Sequence, residues 1–398
     1  MKRILLVGLT SYDNLGDSIL VDTCKYLVQK SLDKNGVSKF TNVDIADMMI
    51  TSDQLISQRQ IGRLNRFLSM GLTYAAEKLE KVNLKVSYYL YSLKNKVKYK
   101  KYFTNKVKDS DAIVFVGGAY LKFKGEEFQY SIRHIITLAE KYNVPVMMNA
   151  VGVEGYDEED IRCKHLKKVI NKDCVKILTT RDSVSILNDS FIERREIITD
   201  EVGDPALWLN ECYNINSTPK YDVGINVAYK SLFEYNNVFS RESYFDITEK
   251  LILKLQEKKI SFALFCNGKA DDYNGGLDLI DKLNLDKELM VDKPDNPLEY
   301  VNQVSMFKSV VPIRLHAYIT AFALNIPITG FVWNPKVRHF LNTTNQQQYF
   351  QSLDNLSAED ITNNIEKFLL NGSDFKKIPD LKLKTYEYID LFIRTYVV

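Results

Sequence analysis

A chain of 398 residues with 53 Lys and Arg against 51 Asp and Glu is too long for one compact core and too evenly charged for nucleic acid to be its main partner, so two domains of ordinary size are expected. Its apolar fraction of 45% is that of a globular protein. The five cysteines, Cys24, Cys163, Cys174, Cys212 and Cys266, are odd in number and scattered without C-x-x-C spacing, which indicates neither a disulfide framework nor a zinc site and fits a reducing cytoplasm.

In chain order, "RILLVGL" (Arg3 to Leu9) reads as a buried first strand, its apolar run too short for a signal peptide. "NLGD" then turns into a helix, "SILVDTCKYLVQKSL". From about Thr51 to Lys108 the pattern is mostly helical, an insertion into the first domain, and Ser92 to Lys108 carries seven lysines and no acid. A solvated helical face is the plainer reading of that run. The functional one is peripheral contact with an anionic membrane surface, made by its lysines and tyrosines together. "DAIVFVGG" (Asp111 to Gly118), "VPVMMNAVGV" and "VKILTTRD" (Val175 to Asp182) follow as strands whose continuous apolar runs need cover on both faces. The polar stretch Asp204 to Asp222 marks an interdomain boundary. Beyond it come a strand "DVGINVAY", a helix near Ser243 to Lys258, a strand "ISFALFC", a helix, a short strand near Leu289, a helix, and a strand "SVVPI" running into a helix from His316. Tyr386 to Val398 reads as a last helix that returns to the first domain. The expected fold class is α/β, with two facing Rossmann-like domains over 1–210 and 220–380 and a C-terminal helix over 381–398. No stretch of about 20 residues lacks both charge and Pro, so no membrane-spanning helix is expected.

Open α/β sheets bind ligands beyond the carboxyl ends of their strands. Arg314 and His316 fall at such an end, inside the otherwise apolar "VVPIRLHAYITAFALNIPITGF". Arg314 paired with a buried carboxylate and His316 capping a helix would be the structural explanation; as R-x-H at a sheet terminus they favour a function. Arg181 ends a strand of the first domain, with Asp182 or Ser183 placed to cap the next helix. Two arginines at equivalent edges suit a ligand with two anionic groups, because a guanidinium grips carboxylate or phosphate in a bidentate fork. An interdomain salt bridge is the plainer account of Arg181. Two glycine-bearing turns, "GLTSYDNLGDS" with Asn14, Gly16 and Asp17 and "VGGAYLKFKG" with Gly117 and Gly118, can bring backbone N–H groups to an anion, although neither has a dinucleotide or P-loop spacing. Asp17 reads either as a helix-start acid complementing the macrodipole or as a base.

These pieces in this order, "NLGD", "GGAYL", "RDSVSIL", "GDPALWL" and "RLHAYITAFALNIPITGFVWNPKV", resemble the polysaccharide pyruvyl transferases. The likeness covers nearly the whole chain, and its last piece is the most specific. The chain departs from the family's pattern at Ala119, where a third glycine is usual, and at Trp333 and Asn334, where Tyr and Asp are usual. The resemblance implies the two-domain, GT-B-like glycosyltransferase architecture. It also implies transfer of the enolpyruvyl skeleton of phosphoenolpyruvate to two hydroxyls of one sugar of a bacterial surface polysaccharide or its lipid-linked precursor, giving a cyclic ketal and phosphate. His316 is then the best-suited acid, Arg314 and Arg181 hold carboxylate and phosphate, Lys336 adds charge at the departing phosphate, and Asp17 and Asp204 are candidate bases. The four histidines are dispersed, so no metal is expected, and phosphoenolpyruvate is a substrate and not a cofactor. The expected place is the cytoplasm, at the inner face of the plasma membrane.

Two other readings compete. A nucleotide-sugar glycosyltransferase of the same shape needs a ribose-binding carboxylate, and "HAYITAFALN" has no acid. A non-catalytic anion-binding module of a polysaccharide pathway would keep the arginines and not need His316.

Overall fold

The computed structural model describes residues 1–10, 14–121, 128–216, 218–229, 240–372 and 380–398. Residues 11–13 of the first glycine-bearing turn, 122–125 of the second and Ser217 of the polar boundary stretch lie outside them. The chain groups into two compact α/β units. One comprises 1–12, 20–205 and 383–398, and the other 13–19 and 206–382. The "NLGD" loop, expected with the N-terminal half, therefore belongs to the second unit.

The first unit is built on a parallel sheet. Its strands are β1 (Lys2–Gly8), β2 (Thr41–Asp47), β3 (Ala112–Phe115), β4 (Gly118–Leu121), β5 (Val146–Val153), β6 (Val175–Thr180) and β7 (Ile198–Glu201), in the order β2-β1-β3-β5-β6-β7, with β4 paired to the far half of β5. Central strands are apolar because helices cover both faces: Ile4, Leu5, Leu6 and Val7 of β1 are fully buried. The helices are α1 (Leu15–Lys34), α2 (Ser52–Ser57), α3 (Arg63–Glu80), α4 (Leu84–Lys108), α5 (Phe128–Lys141), α6 (Ile161–Ile170) and α7 (Val184–Phe191). The last helix of the chain, Asp380–Tyr396, starts six residues earlier than Tyr386. In the first unit its buried Asp390 accepts from Ser31 Oγ at 2.8 Å, Lys34 Nζ at 2.8 Å and Asn35 Nδ2 at 3.1 Å.

The lysine-rich run Ser92 to Lys108 is the C-terminal two thirds of α4, and its aromatic residues point inward. Tyr99, Tyr102 and Phe103 belong to the core of the first unit, Lys106 pairs with Asp44 at 2.8 Å, and Lys101 donates to the Arg59 carbonyl at 2.9 Å. The tyrosines of this run are thus spent on the interior and unavailable to any surface.

The second unit carries a smaller parallel sheet, β8 (Tyr221–Asn226), β9 (Phe262–Phe265) and β10 (Phe307–Val311), in the order β10-β8-β9. A two-stranded pair, β11 (Gly330–Val332) and β12 (Phe350–Ser352), stands apart from it. Its helices are α8 (Leu209–Tyr213), α9 (Arg241–Glu257), α10 (Ala270–Lys282), α11 (Pro297–Val304), α12 (Leu315–Ala323), α13 (Pro335–Thr343) and α14 (Ala358–Asn371). The strand expected near Leu289 is instead a single 3-10 turn, Lys287–Leu289, whose next residue, Met290, makes one isolated bridge to Leu264. The run is too short, and too rich in Asp, Lys and Glu, to sustain a ladder.

Candidate functional site

In the second unit the carboxyl ends of three parallel strands are tied together by one side chain. Asn226, at the end of β8, is buried. Its Oδ1 accepts from the backbone N–H of Ile313 at 3.3 Å and of Arg314 at 3.0 Å, and its Nδ2 donates to the Phe265 carbonyl at 3.2 Å and Asn267 Oδ1 at 2.9 Å. Every hydrogen-bonding position of the amide is used to fix the turns beyond β9 and β10, which is why an asparagine follows the buried Val223, Gly224 and Ile225 at the strand's end. Cys266, one residue from that network, is fully buried, and burial pushes its thiol up to about 11.

Arg314 is the N-cap position of α12. Its Nε donates to Asp272 Oδ2 at 2.9 Å and its Nη2 to Asp272 Oδ1 at 2.7 Å, a side-on fork in which Asp272 is fully buried. Asp272 Oδ1 also accepts from the Tyr229 backbone N–H at 3.0 Å. The carboxylate comes from the first turn of α10, 42 positions away in sequence. One edge of the guanidinium is therefore committed to structure, and the Nη1–Nη2 end is what remains for a ligand.

His316 is the second residue of α12 and is buried. Gly16 lies against its ring: a Cβ placed there would stand 2.0 Å from His316 Nδ1 and 2.2 Å from its Cγ. Only glycine lets the "NLGD" loop lie so close to the imidazole. That loop is anchored by Leu15 N–H donating to the Asn267 carbonyl at 3.2 Å, and it is closed internally by Asn14 Nδ2 donating to Asp17 Oδ2 at 3.0 Å and Gly16 N–H to Asn14 Oδ1 at 3.3 Å. Segments 300 residues apart thus meet in one unit, with Asp17 half-buried beside them. Gly16→Ala is expected to push the imidazole aside while the rest of the fold stays intact. The imidazole NMR resonances of His316 should shift, and unchanged resonances would mean that the loop yields instead.

The "WNPK" segment joins the same region through Trp333, whose Nε1 donates to the Ile313 carbonyl at 2.7 Å. Asn334, where the family's pattern has Asp, caps α13 by accepting from Val337 N–H at 2.8 Å, a service either residue can perform. Lys336 is the second residue of that helix and half-exposed.

Gly117, Gly118, Arg181 and Asp204 lie in the first unit. Gly117 (φ +111°) and Gly118 (φ +121°), the latter opening β4, take backbone that side chains disfavour, whereas Ala119 is not among the positive-φ residues and needs no glycine. Arg181 Nη1 and the Asp204 carboxylate form an ion pair, both buried, so one candidate clamp and one candidate base occupy each other. Asp182 does not cap α7: its Oδ2 accepts from Val153 N–H at 2.7 Å, and the N-cap residue Ser183 bonds Ser185 Oγ at 2.8 Å.

Sequence reasoning passed over Asp272, Asn226, Asn267 and Asn149. Asn149 lies in β5 next to Ala150, a non-glycine residue at φ +47° where the β5–β6 register breaks. Both polar atoms of its fully buried amide lack a hydrogen-bond partner among the described residues. The Gly117 turn adjoins it, since a Cβ there would lie 3.3 Å from the Asn149 carbonyl and 3.6 Å from Pro205 Cγ. The only hint in the sequence is one polar residue inside "VMMNAVGV". Among the described residues no group of His, Cys, Asp and Glu could hold a metal ion.

A sequence model of the polysaccharide pyruvyl transferase family matches residues 71–335. That range takes in Gly117, Gly118, Arg181, Asp204, Arg314 and His316, and leaves Asn14, Gly16, Asp17 and Lys336 outside. No curated protein matches the chain closely enough to count as a relative. Among solved structures, the chain is similar to UDP-GlcNAc 2-epimerase from Methanocaldococcus jannaschii (TM-score 0.56, 11% identity, 99% of this chain and 100% of that one). It is similar also to the enzyme of that name from Neisseria meningitidis bound to UDP-GlcNAc (0.55, 12%, 99% and 100%), and to the S. aureus MnaA–UDP co-structure (0.55, 10%, 99% and 97%). At these identities the likeness is one of fold, the two-domain GT-B type.

Proposed function

The chain belongs to the polysaccharide pyruvyl transferase family, and from that premise we propose that it transfers the enolpyruvyl skeleton of phosphoenolpyruvate to two hydroxyls of one sugar in a surface polysaccharide or its lipid-linked precursor, in the cytoplasm. The donor's methylene carbon takes a proton from His316, leaving a cation-like centre at the adjacent carbon. The first sugar hydroxyl adds there, phosphate leaves, and the second hydroxyl closes the ketal. Of the two hydroxyl protons released, one replaces the proton lost by His316 and the other departs with phosphate.

The observation that carries the assignment of roles is the seating of His316 against Gly16, with Asp17 in the same loop. An acid and a base on one short loop and one helix start is what a reaction that adds a proton at carbon and removes protons from oxygen requires. Asp17 is the base in this reading, since Asp204 is held by the Arg181 guanidinium. The Nη1–Nη2 end of Arg314, oriented by Asp272, and Lys336 hold the donor's carboxylate and phosphate. Gly117, Gly118 and Arg181 are kept as a candidate anion-holding group of the first unit.

Phosphate release from phosphoenolpyruvate should require both enzyme and an acceptor glycan, with a product carrying a pyruvate ketal. Nucleotide release from a sugar nucleotide without phosphate release would transfer the assignment to a glycosyltransferase. Donor binding with neither release would leave an anion-binding module.

A further inference from the structure

The helical hairpin α3–α4 is amphipathic the wrong way round. The face of α3 turned to the protein presents the small residues Ser69 and Ala76, and Ser87 Oγ of α4 donates to the Ala76 carbonyl at 2.8 Å across a buried contact. The large apolar side chains of α3 face water: Leu64, Phe67, Leu68, Met70 and Tyr74 are 71%, 75%, 47%, 61% and 60% exposed. Their spacing, 64-67-68 and 67-70-74, puts them on one side of the helix. On α4, Val86, Tyr89 and Leu93 form a second exposed apolar row at i, i+3 and i+7, and Val82 at the hairpin's tip is 81% exposed. So many large apolar side chains exposed along one helix face are uncommon on a surface that meets only water.

Charge identifies what covers it. From Arg63 to Lys108 the hairpin has twelve Lys and Arg against two Glu, a net of +10 in a chain whose whole net charge is +2. Arg63, Lys78, Lys81 and Lys85, all exposed, lie at the ends of α3 and the start of α4 and outnumber the exposed Glu77 and Glu80, and the Lys78 ammonium sits 4.5 Å from the Tyr74 ring centroid. An apolar stripe rimmed by cations is the arrangement of a helix that lies in a bilayer interface, apolar side chains at the headgroup–acyl boundary and ammonium groups among anionic headgroups. Among the described residues no helix is long and apolar enough to cross a membrane.

We propose that the α3–α4 hairpin docks the protein on an anionic lipid surface, inserting the exposed apolar face of α3. The contact differs from one made by the lysines and tyrosines of Ser92 to Lys108, whose Tyr99 and Tyr102 are buried. It is independent of the pyruvyl-transfer reading. It would nevertheless suit an enzyme with a lipid-linked acceptor.

The full chain should co-float with phosphatidylcholine vesicles containing phosphatidylglycerol, much less with phosphatidylcholine alone, and be released in part by high salt. Phe67→Asp should weaken vesicle binding by about ten-fold or more, since it removes one large apolar insertion and adds a repelled charge. As Phe67 is exposed, the variant should melt like the parent. Phe67→Trp gives a direct readout, because its emission should move to the blue on anionic vesicles. Vesicle binding unaffected by Phe67→Asp, or no binding at all, would overturn the proposal. So would a homodimer, seen by sedimentation and dissociated by Phe67→Asp, that leaves lipid unbound.

Discussion

Replacing Arg314 with alanine is expected to cost about 3–5 kcal/mol of stability, read as a lowered urea midpoint, because it leaves a buried carboxylate without its cation. Asp272 is fully buried and, among the described residues, otherwise accepts only the Tyr229 amide. Arg314→Lys keeps the charge but not the side-on fork of Nε and Nη2, so an intermediate loss is expected. Stability alone cannot separate a scaffold from a clamp. The double variant Arg314→Met, Asp272→Leu can, since replacing both members of a buried pair with apolar groups is often neutral. If the double variant is stable and binds phosphoenolpyruvate as the parent does, Arg314 is scaffold alone. If it is stable and donor binding is lost, the Nη1–Nη2 end holds the donor.

That ion pair also shows where sequence reading ends. The R-x-H at a strand terminus is legible because two polar residues interrupt a long apolar run, and the strand-to-helix junction places them. The partner is not legible. Asp272 stands in "KADDYNGG", where two acids at a helix start read as ordinary complements of the macrodipole, and only the packing of α10 turns one of them inward. The same limit explains the hairpin. Periodicity shows that Leu64, Phe67 and Leu68 share a face, but it cannot say which face is inside when the opposite one is made of Ser69, Thr73 and Ala76. Partly exposed strands are illegible for a related reason: "TNVDIAD" and "ITDE", which form β2 and β7 at the two edges of the large sheet, lack the apolar runs by which β1, β3 and β5 are read. Left-handed backbone at Ala150 has no sequence signature, so the break in β5 register beside Asn149 is not legible.

His316→Gln and His316→Asn are each expected to lower turnover on the order of 10²-fold or more while donor affinity changes much less, since general acid catalysis typically contributes 10²- to 10⁴-fold. Both substitutes are polar and neither carries a titrating proton. The ring is confined, with Gly16 against Nδ1 and Cγ, so an amide of similar size should fit and the fold should persist. Confinement also supplies a second test. If His316 delivers the proton from a fixed position, Gly16→Ala, which moves the ring without removing it, should lower turnover in the same sense, because a misplacement of about 1 Å can cost roughly 10²-fold. The two changes act on one group, so the pair of substitutions together should cost little more than His316→Gln alone. Losses that multiply would separate the glycine's role from the histidine's. A variant that binds donor poorly but turns over normally at saturation would make His316 a ligand of the donor and move the acid elsewhere. Were neither quantity to change, the buried imidazole would be a packing group, and the proton to carbon would have to come from a residue outside the Gly16–His316 contact.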